Sequence, residues 1–177
     1  MDAFRIAISG KSGCGNSTVS RLLSEQLGIR LINYTFRTMA ADHRMTMEQL
    51  SAAAEADDSW DRTLDRKQTE MAAEGSCVLG SRLAIWLLES ADLRVYLSAR
   101  PEVRAERIRG REGGTLSSVL ASTNDRDQRD RSRYLRLYDI DIDSYDFVDL
   151  HVDTERSHPG EIVAMIIDAA VGRGLAR

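Results

Sequence analysis

Gly10-Lys11-Ser12-Gly13-Cys14-Gly15-Asn16-Ser17-Thr18 decides how this chain is read. An apolar run from Phe4 to Ile8 precedes it and has the character of a strand, and Val19 to Leu27 has the spacing of a helix. A strand, a glycine-rich turn and a helix start, in that order, are what a phosphate-binding P-loop requires. The glycines let backbone N–H groups curl around an anion, and the helix start adds unpaired donors and the positive end of its dipole. The pattern G-x-x-x-x-G-K-[ST] is met at Gly10, Gly15 and Ser17, but Asn16 stands in the lysine's place.

Working outward, strands are predicted at Arg5–Ser9, Leu31–Asn33, Cys77–Leu79, Leu93–Leu97 and Phe147–Val152. Helices are predicted at Thr18–Leu27, Met47–Ala54, Asp58–Glu74, Leu83–Glu89, Pro101–Arg109, Leu116–Tyr138 and Pro159–Val171. This alternation implies an α/β fold, a five-stranded parallel sheet with helices on both faces. Two helical insertions interrupt it, residues 34–74 and 110–138. Ligands of such sheets bind beyond the carboxyl ends of the strands, where the P-loop, Arg37, Arg82 and Arg107 can converge.

The 177 residues suit one domain with a sizeable core, and 42% of them are hydrophobic. No apolar run approaches the ~20 residues needed to span a membrane. The first residues lack the apolar core of a signal peptide. Cys14 and Cys77 are too few for a disulfide framework, so a cytoplasmic location is expected. A net charge of −4 argues against a nucleic-acid polymer as partner. His43, His151 and His158 show no metal-like spacing with the cysteines and are read as surface or packing residues, as Trp60 and Trp86 are read as packing.

Only Lys11 and Lys67 are lysines, and the arginines cluster between Arg100 and Arg136 among many aspartates. Arg126, Arg129, Asp130 and Arg133 follow i, i+3, i+4, i+7 and share one helical face. Such a face suits a sugar hydroxyl and phosphates, or equally a solvated helix laced with pairs such as Asp127–Arg131. Arg104, Arg107 and Arg111 share another face, followed by Gly110, Gly113 and Gly114 as a hinge. That is the pattern of a closing lid that brings cations to a transferring phosphate, or of an ordinary helix end. Cys14 is either redox-sensitive at a helix N-terminus or a small loop filler.

These pieces together resemble the P-loop nucleoside monophosphate kinases, and within them the archaeal-type (type 2) cytidylate kinases. The resemblance covers nearly the whole chain. It is carried by Ile6–Gly10 with the P-loop, Phe36-Arg37, Asp61–Gln68, Arg82–Trp86, Val103–Ile108, Arg133-Tyr134 and Tyr138–Asp141, and the run Arg126–Arg133 also resembles the corresponding run of bacterial cytidylate kinases. It implies ATP as phosphoryl donor, Mg²⁺ as cofactor, CMP or dCMP as acceptor, and a monomer or weak dimer. The loop Gly10, Lys11, Ser12, Gly13, Cys14, Gly15, Asn16, Ser17, Thr18 would hold the ATP phosphates, with the Ser17 hydroxyl on Mg²⁺. Arg107 would stack on adenine and Arg111 would reach the phosphates; Arg37 and Arg82 would grip the acceptor's monophosphate. Arg126 and Asp130 would meet acceptor sugar and phosphate, and Arg133 the base or the transferring group. Residues 34–74 would form the monophosphate-binding arm, 110–138 the lid, and 1–33, 75–109 and 139–177 the core.

The chain departs from the family pattern twice. Asn16 brings no charge to the lysine position, and Gly80 replaces an acid that would hold Mg²⁺ through water. Lys11 is a candidate to supply part of the missing charge. The departures keep two alternatives open, a non-catalytic nucleotide-binding protein of the same fold and a small-molecule kinase with another acceptor.

Overall fold

The computed structural model describes residues 3–176. Five parallel strands, β1 (Arg5–Gly10), β2 (Arg30–Ile32), β3 (Cys77–Gly80), β4 (Leu93–Ser98) and β5 (Leu150–Asp153), form one sheet in the order β2-β3-β1-β4-β5. The order turns at β1, with β2 and β3 on one side and β4 and β5 on the other. β1 pairs Ile8 with Gly80 of β3 and Gly10 with Leu97 of β4, so the loop after β1 emerges between its two neighbours.

Alternation along the strands divides the core between the two faces. Ile6, Ile8, Val78, Leu93, Val95 and Leu97 pack with α1 (Asn16–Leu27) and α8 (Pro159–Gly172) through Val19, Leu23, Ile162, Val163 and Ile166. Ala7, Cys77, Leu79 and Tyr96 point the other way, against Ala72 of α4 (Ser59–Ala73) and Ala84 and Ile85 of α5 (Ala84–Leu87). Complete burial of these side chains is the main force holding the layers together, at about 25 cal/mol per Å² of apolar surface removed from water.

Two smaller apolar clusters lie outside the sheet. Met39, Ala40 and Leu50 join α2 (Phe36–Asp42) and α3 (Met47–Ala56), with Trp60 and Leu64 of α4 against them. Ala105, Ile108 and Val119 join α6 (Pro101–Glu112) to α7 (Leu116–Tyr138). α3 begins with a capping box, Thr46 accepting from the Gln49 N–H at 3.1 Å and Gln49 accepting from the Thr46 N–H at 2.8 Å.

Several boundaries differ from the sequence expectation. The helix α2 was not expected, and α5 is shorter than Leu83–Glu89. β5 starts at Leu150 rather than Phe147, because Asp146 and Phe147 lie in a turn where Phe147 is exposed. Gly110 lies inside α6, which runs on to Glu112. The break falls instead at Gly113 and Gly114, whose φ values of 82° and 95° are accessible to glycine without strain.

Candidate active site

A cleft of about 1800 Å³ opens at the carboxyl ends of the strands. Ordinary small-ligand pockets hold roughly 300–1,000 Å³, so this one has room for two nucleotides. Its floor is the loop Gly10–Thr18, and α1 starts directly from it at Asn16. No side chain caps that helix start, so its first N–H groups are free to meet an anion.

The loop is fixed from below by α6. Gly13 has φ 86°, and a Cβ there would lie 2.9 Å from both Cβ and O of Arg104, so glycine alone fits. Arg104 is buried; its guanidinium donates to Ser12 O at 3.1 Å and pairs with Asp127 of α7 at 2.6 Å. Arg107 donates to Gly13 O at 3.2 Å and, beyond the loop, to Thr154 Oγ1 at 2.9 Å and Thr154 O at 2.7 Å. Of the three arginines sharing that face, Arg104 is thus a buried brace, while Arg107 and Arg111 line the cleft. Arg111 is exposed and pairs with Glu112 at 2.5 Å. Cys14 is buried, and burial raises its thiol pKa despite the opposing pull of Arg104, so it fills the loop rather than presenting a thiolate.

Asn16 faces the sheet. Its Nδ2 donates to Ile8 O at 3.2 Å and Ser81 O at 3.3 Å, and its Oδ1 accepts from the Ser20 hydroxyl at 3.0 Å. The side chain therefore ties the start of α1 to the ends of β1 and β3. Gly80 belongs to the same unit: a Cβ there would meet Ser20 Oγ at 2.3 Å and Asn16 Oδ1 at 3.0 Å. The two departures from the family pattern are one packing arrangement, and an acid at position 80 would not fit beside Ser20. Lys11 pairs with Asp143 at 2.5 Å on the rim of the cleft.

Arginine–aspartate pairs bridge the other side. Arg82, just after β3, pairs with Asp130 of α7. Arg133 of α7 pairs with Asp61 of α4, and Arg136 with Asp58, Nη2 to Oδ1 at 2.9 Å. Arg126 donates to Ser12 Oγ at 3.3 Å. All four residues of the predicted α7 face, Arg126, Arg129, Asp130 and Arg133, line the cleft. The Asp127–Arg131 pair of the alternative reading does not form: Asp127 turns to Arg104, and Arg131 to Asp141 at 2.7 Å. Arg37 is exposed and is not among the residues that line the cleft.

Three residues of α4 on the cleft wall, Asp61, Asp65 and Gln68, received no role in the sequence reading. Asp65 Oδ2 accepts from the Tyr138 hydroxyl at 2.6 Å, and burial pushes its pKa up to about 6. Gln68 Nε2 donates to Tyr34 O at 2.6 Å. Among the described residues there is no cluster of three or more His, Cys, Asp or Glu that could hold a metal, and no helix is long and apolar enough to cross a membrane.

Residues 5–156 match the profile of the cytidylate kinase-like family. The chain belongs to that family. Similar members include cytidylate kinase 2 of Borreliella burgdorferi, 44% identical over 177 residues and covering 98% of both chains. The cytidylate kinase of Pyrococcus furiosus is 39% identical, covering 94% of this chain and 87% of its own. Among solved structures, shikimate kinase from Acinetobacter baumannii superposes with a TM-score of 0.65 at 16% identity, over 98% of this chain and 96% of that one. At that identity the likeness speaks for the fold, a P-loop kinase α/β architecture, shared by this member of the cytidylate kinase-like family.

Proposed function

We propose that this chain transfers the γ-phosphoryl group of ATP to the phosphate of CMP or dCMP, giving ADP and CDP or dCDP. The observation that carries the reading is the 44% identity, across 98% of both chains, to a protein named cytidylate kinase 2. The cleft supports it, with an anion-binding loop on one side and paired arginines on the other.

In this reading the backbone of Gly10–Thr18 cradles the ATP phosphates. Arg107 lies beside the donor base and Arg111 reaches over its phosphates. Arg82 grips the acceptor phosphate, and Asp130, already against Arg82, accepts from a sugar hydroxyl with Arg126 nearby. Arg133 approaches the base or the transferring group, and Arg37 reaches the acceptor only if the arm that carries it swings inward. Lys11 adds charge at the loop by exchanging Asp143 for phosphate. Residues 34–74 form the acceptor arm, and 113–138 the lid, hinged at Gly113 and Gly114.

The acceptor phosphate oxygen is ionised at neutral pH and attacks in line, so no general base is needed. Catalysis then rests on positioning and on positive charge at the equatorial oxygens, which bidentate guanidinium groups supply well. Closure of two arms excludes water, which would otherwise take the phosphoryl group. Mg²⁺ commonly keeps several waters and takes few protein ligands besides phosphates, and the Ser17 hydroxyl on the cleft wall fits that role. When bound, the ion neutralises charge on the donor phosphates. We read the enzyme as a cytoplasmic monomer or weak dimer.

The test is transfer from γ-labelled ATP with Mg²⁺ present, the products being separated by chromatography. Label in CDP, with less in the products of UMP, AMP or GMP, supports the reading. Label reaching a different acceptor, or none, contradicts it.

A further inference from the structure

Arg104 is 2% exposed, and its Nε is sealed from solvent with no hydrogen-bond partner among the described residues. A buried ion pair is a poor source of net stability, and an orphaned buried donor adds a further penalty. Apolar side chains brace α6 against α7 at lower cost, as Ala105, Ile108 and Val119 already do. What Arg104 can do, and no apolar side chain can, is fix the direction of a peptide group.

Its guanidinium donates to Ser12 O at 3.1 Å. Ser12 and Gly13 are the central residues of a turn closed by the Cys14 N–H on Lys11 O at 3.1 Å. Gly13 has φ 86°, as the third residue of a type II turn requires. The C=O and N–H of a trans peptide point in opposite directions. With Ser12 O held on Arg104, the Gly13 N–H faces the other way, toward the cleft that Gly13 lines. A flip of this one peptide, which glycine permits without strain, would replace that donor by a carbonyl oxygen, and a carbonyl oxygen repels phosphate.

The same guanidinium is committed to α7. Asp127 takes it in a fork, Oδ2 accepting from Nη2 at 2.6 Å and Oδ1 from Nη1 at 3.3 Å. Beside Asp127, Arg126 donates to Ser12 Oγ at 3.3 Å, and one turn on Asp130 pairs with Arg82. Neighbouring turns of α7 therefore hold the tip of the donor loop and the arginine read as the acceptor's grip.

We propose that Asp127 is a positioning residue for phosphoryl transfer. By holding Arg104 it keeps the Ser12–Gly13 peptide with its N–H toward the donor phosphates, and it ties that peptide to the turn of α7 that carries Asp130. The assignment rests on the reading of the chain as a CMP kinase and adds to it a coupling between the two nucleotide sites. An acceptor on Arg82 and Asp130 steadies α7, and α7 steadies the loop for the donor. Linkage makes the effect reciprocal, so each nucleotide tightens the other by the same factor. Asp127 touches neither nucleotide in this scheme. Its loss acts on the coupling and on kcat, not on the affinity for CMP alone.

The experiment compares wild type, Asp127→Asn and Asp127→Ala. Calorimetry gives the Kd of CMP with and without saturating Mg²⁺ and the β,γ-imido analogue of ATP, steady-state kinetics gives kcat, and melting temperature is measured alongside. In wild type the analogue should tighten CMP about tenfold, a usual size for coupling between two sites. In both variants the tightening should fall below about 2-fold while the Kd of CMP alone stays within about 3-fold of wild type, the mark of a lost pairwise term. Their kcat should fall by about 100-fold, the cost of reacting groups displaced by about 1 Å. Folded variants that keep the wild-type tightening overturn the assignment whatever their melting temperature, because the pair would then serve stability alone. A wild type that phosphorylates CMP but whose CMP affinity the analogue leaves unchanged overturns it whether or not the variants fold. A wild type that does not phosphorylate CMP overturns the function reading and this assignment with it.

Discussion

The loop Gly10–Thr18 and the facing helices α4 and α7 line the same cleft but handle charge differently. The loop's one basic side chain, Lys11, is held at the rim by Asp143, and Asn16 is turned into the sheet. What the loop offers an anion is its backbone, shaped by glycines and braced by Arg104. Across the cleft the offer is made by side chains. Arg82, Arg133 and Arg136 each come with an aspartate from another element. A backbone site is set by the fold and tolerates the loss of one charge. A side-chain site depends on each cation, and Arg82, Arg133 and Arg136 each have a carboxylate that a phosphate would displace or share, whereas Arg126 meets only the Ser12 hydroxyl among the described residues. Under the proposed function, a P-loop kinase with asparagine at the lysine position would rely on loop backbone on one side of the cleft and on arginines on the other.

Four substitutions would break or sharpen the contrast. Arg82→Ala removes the cation beside Asp130 from the side-chain half and should lower kcat/KM for CMP by about 10³-fold while KM for ATP stays put. Steady-state kinetics with both substrates varied would show this, and a rise in KM for ATP instead would blur the division. Arg104→Ala attacks the backbone half through its brace. It leaves Asp127 without its partner and frees Ser12 O, and should cost about 3–5 kcal/mol in urea unfolding.

Lys11→Ala should leave stability within about 1 kcal/mol, since its pair with Asp143 is partly exposed. It should lower kcat/KM for ATP by about tenfold, the worth of one charge-assisted contact; no kinetic change would show that Lys11 serves only the rim. Asp65→Asn tests the charge at the far wall. The pKa of Asp65 is raised from 3.8 to about 6, so the folded state holds a proton that the unfolded chain releases. Stability attributable to this group therefore falls as pH rises through that window and is flat above it. The neutral amide escapes that fall, so Asp65→Asn should melt above wild type at pH 8, with the gap shrinking toward pH 4.

The sheet was legible because buried parallel strands are short apolar runs, and the P-loop fixed which of them is central. The family resemblance agrees with the profile match over residues 5–156. The helix α2 was hidden because it has seven residues and buries only Met39 and Ala40, too little for a periodicity to register. The sequence offers Gly110, Gly113 and Gly114 together as a hinge, but α6 runs through Gly110 and breaks at the positive-φ pair that follows. Spacing put Arg104, Arg107 and Arg111 on one face without telling their depth, and depth is what separates the brace from the rim. Asp61 stood inside a quoted motif, yet nothing in a sequence marks one carboxylate oxygen as buried and unpaired. The sequence likewise showed that position 16 is not lysine, but not that its amide closes the gap between β1 and β3.

The most direct test of the contrast is the steady-state rate of Asn16→Ala with Mg·ATP and CMP, measured beside its stability. The side chain's hydrogen bonds go to Ile8 O, Ser81 O and the Ser20 hydroxyl, so kcat/KM for ATP should stay within about tenfold of wild type. Unfolding free energy should fall by about 1–2 kcal/mol from the lost hydrogen bonds. A loss of about 10³-fold in kcat/KM for ATP at unchanged stability would contradict the account, because it would make Asn16 a phosphate ligand after all.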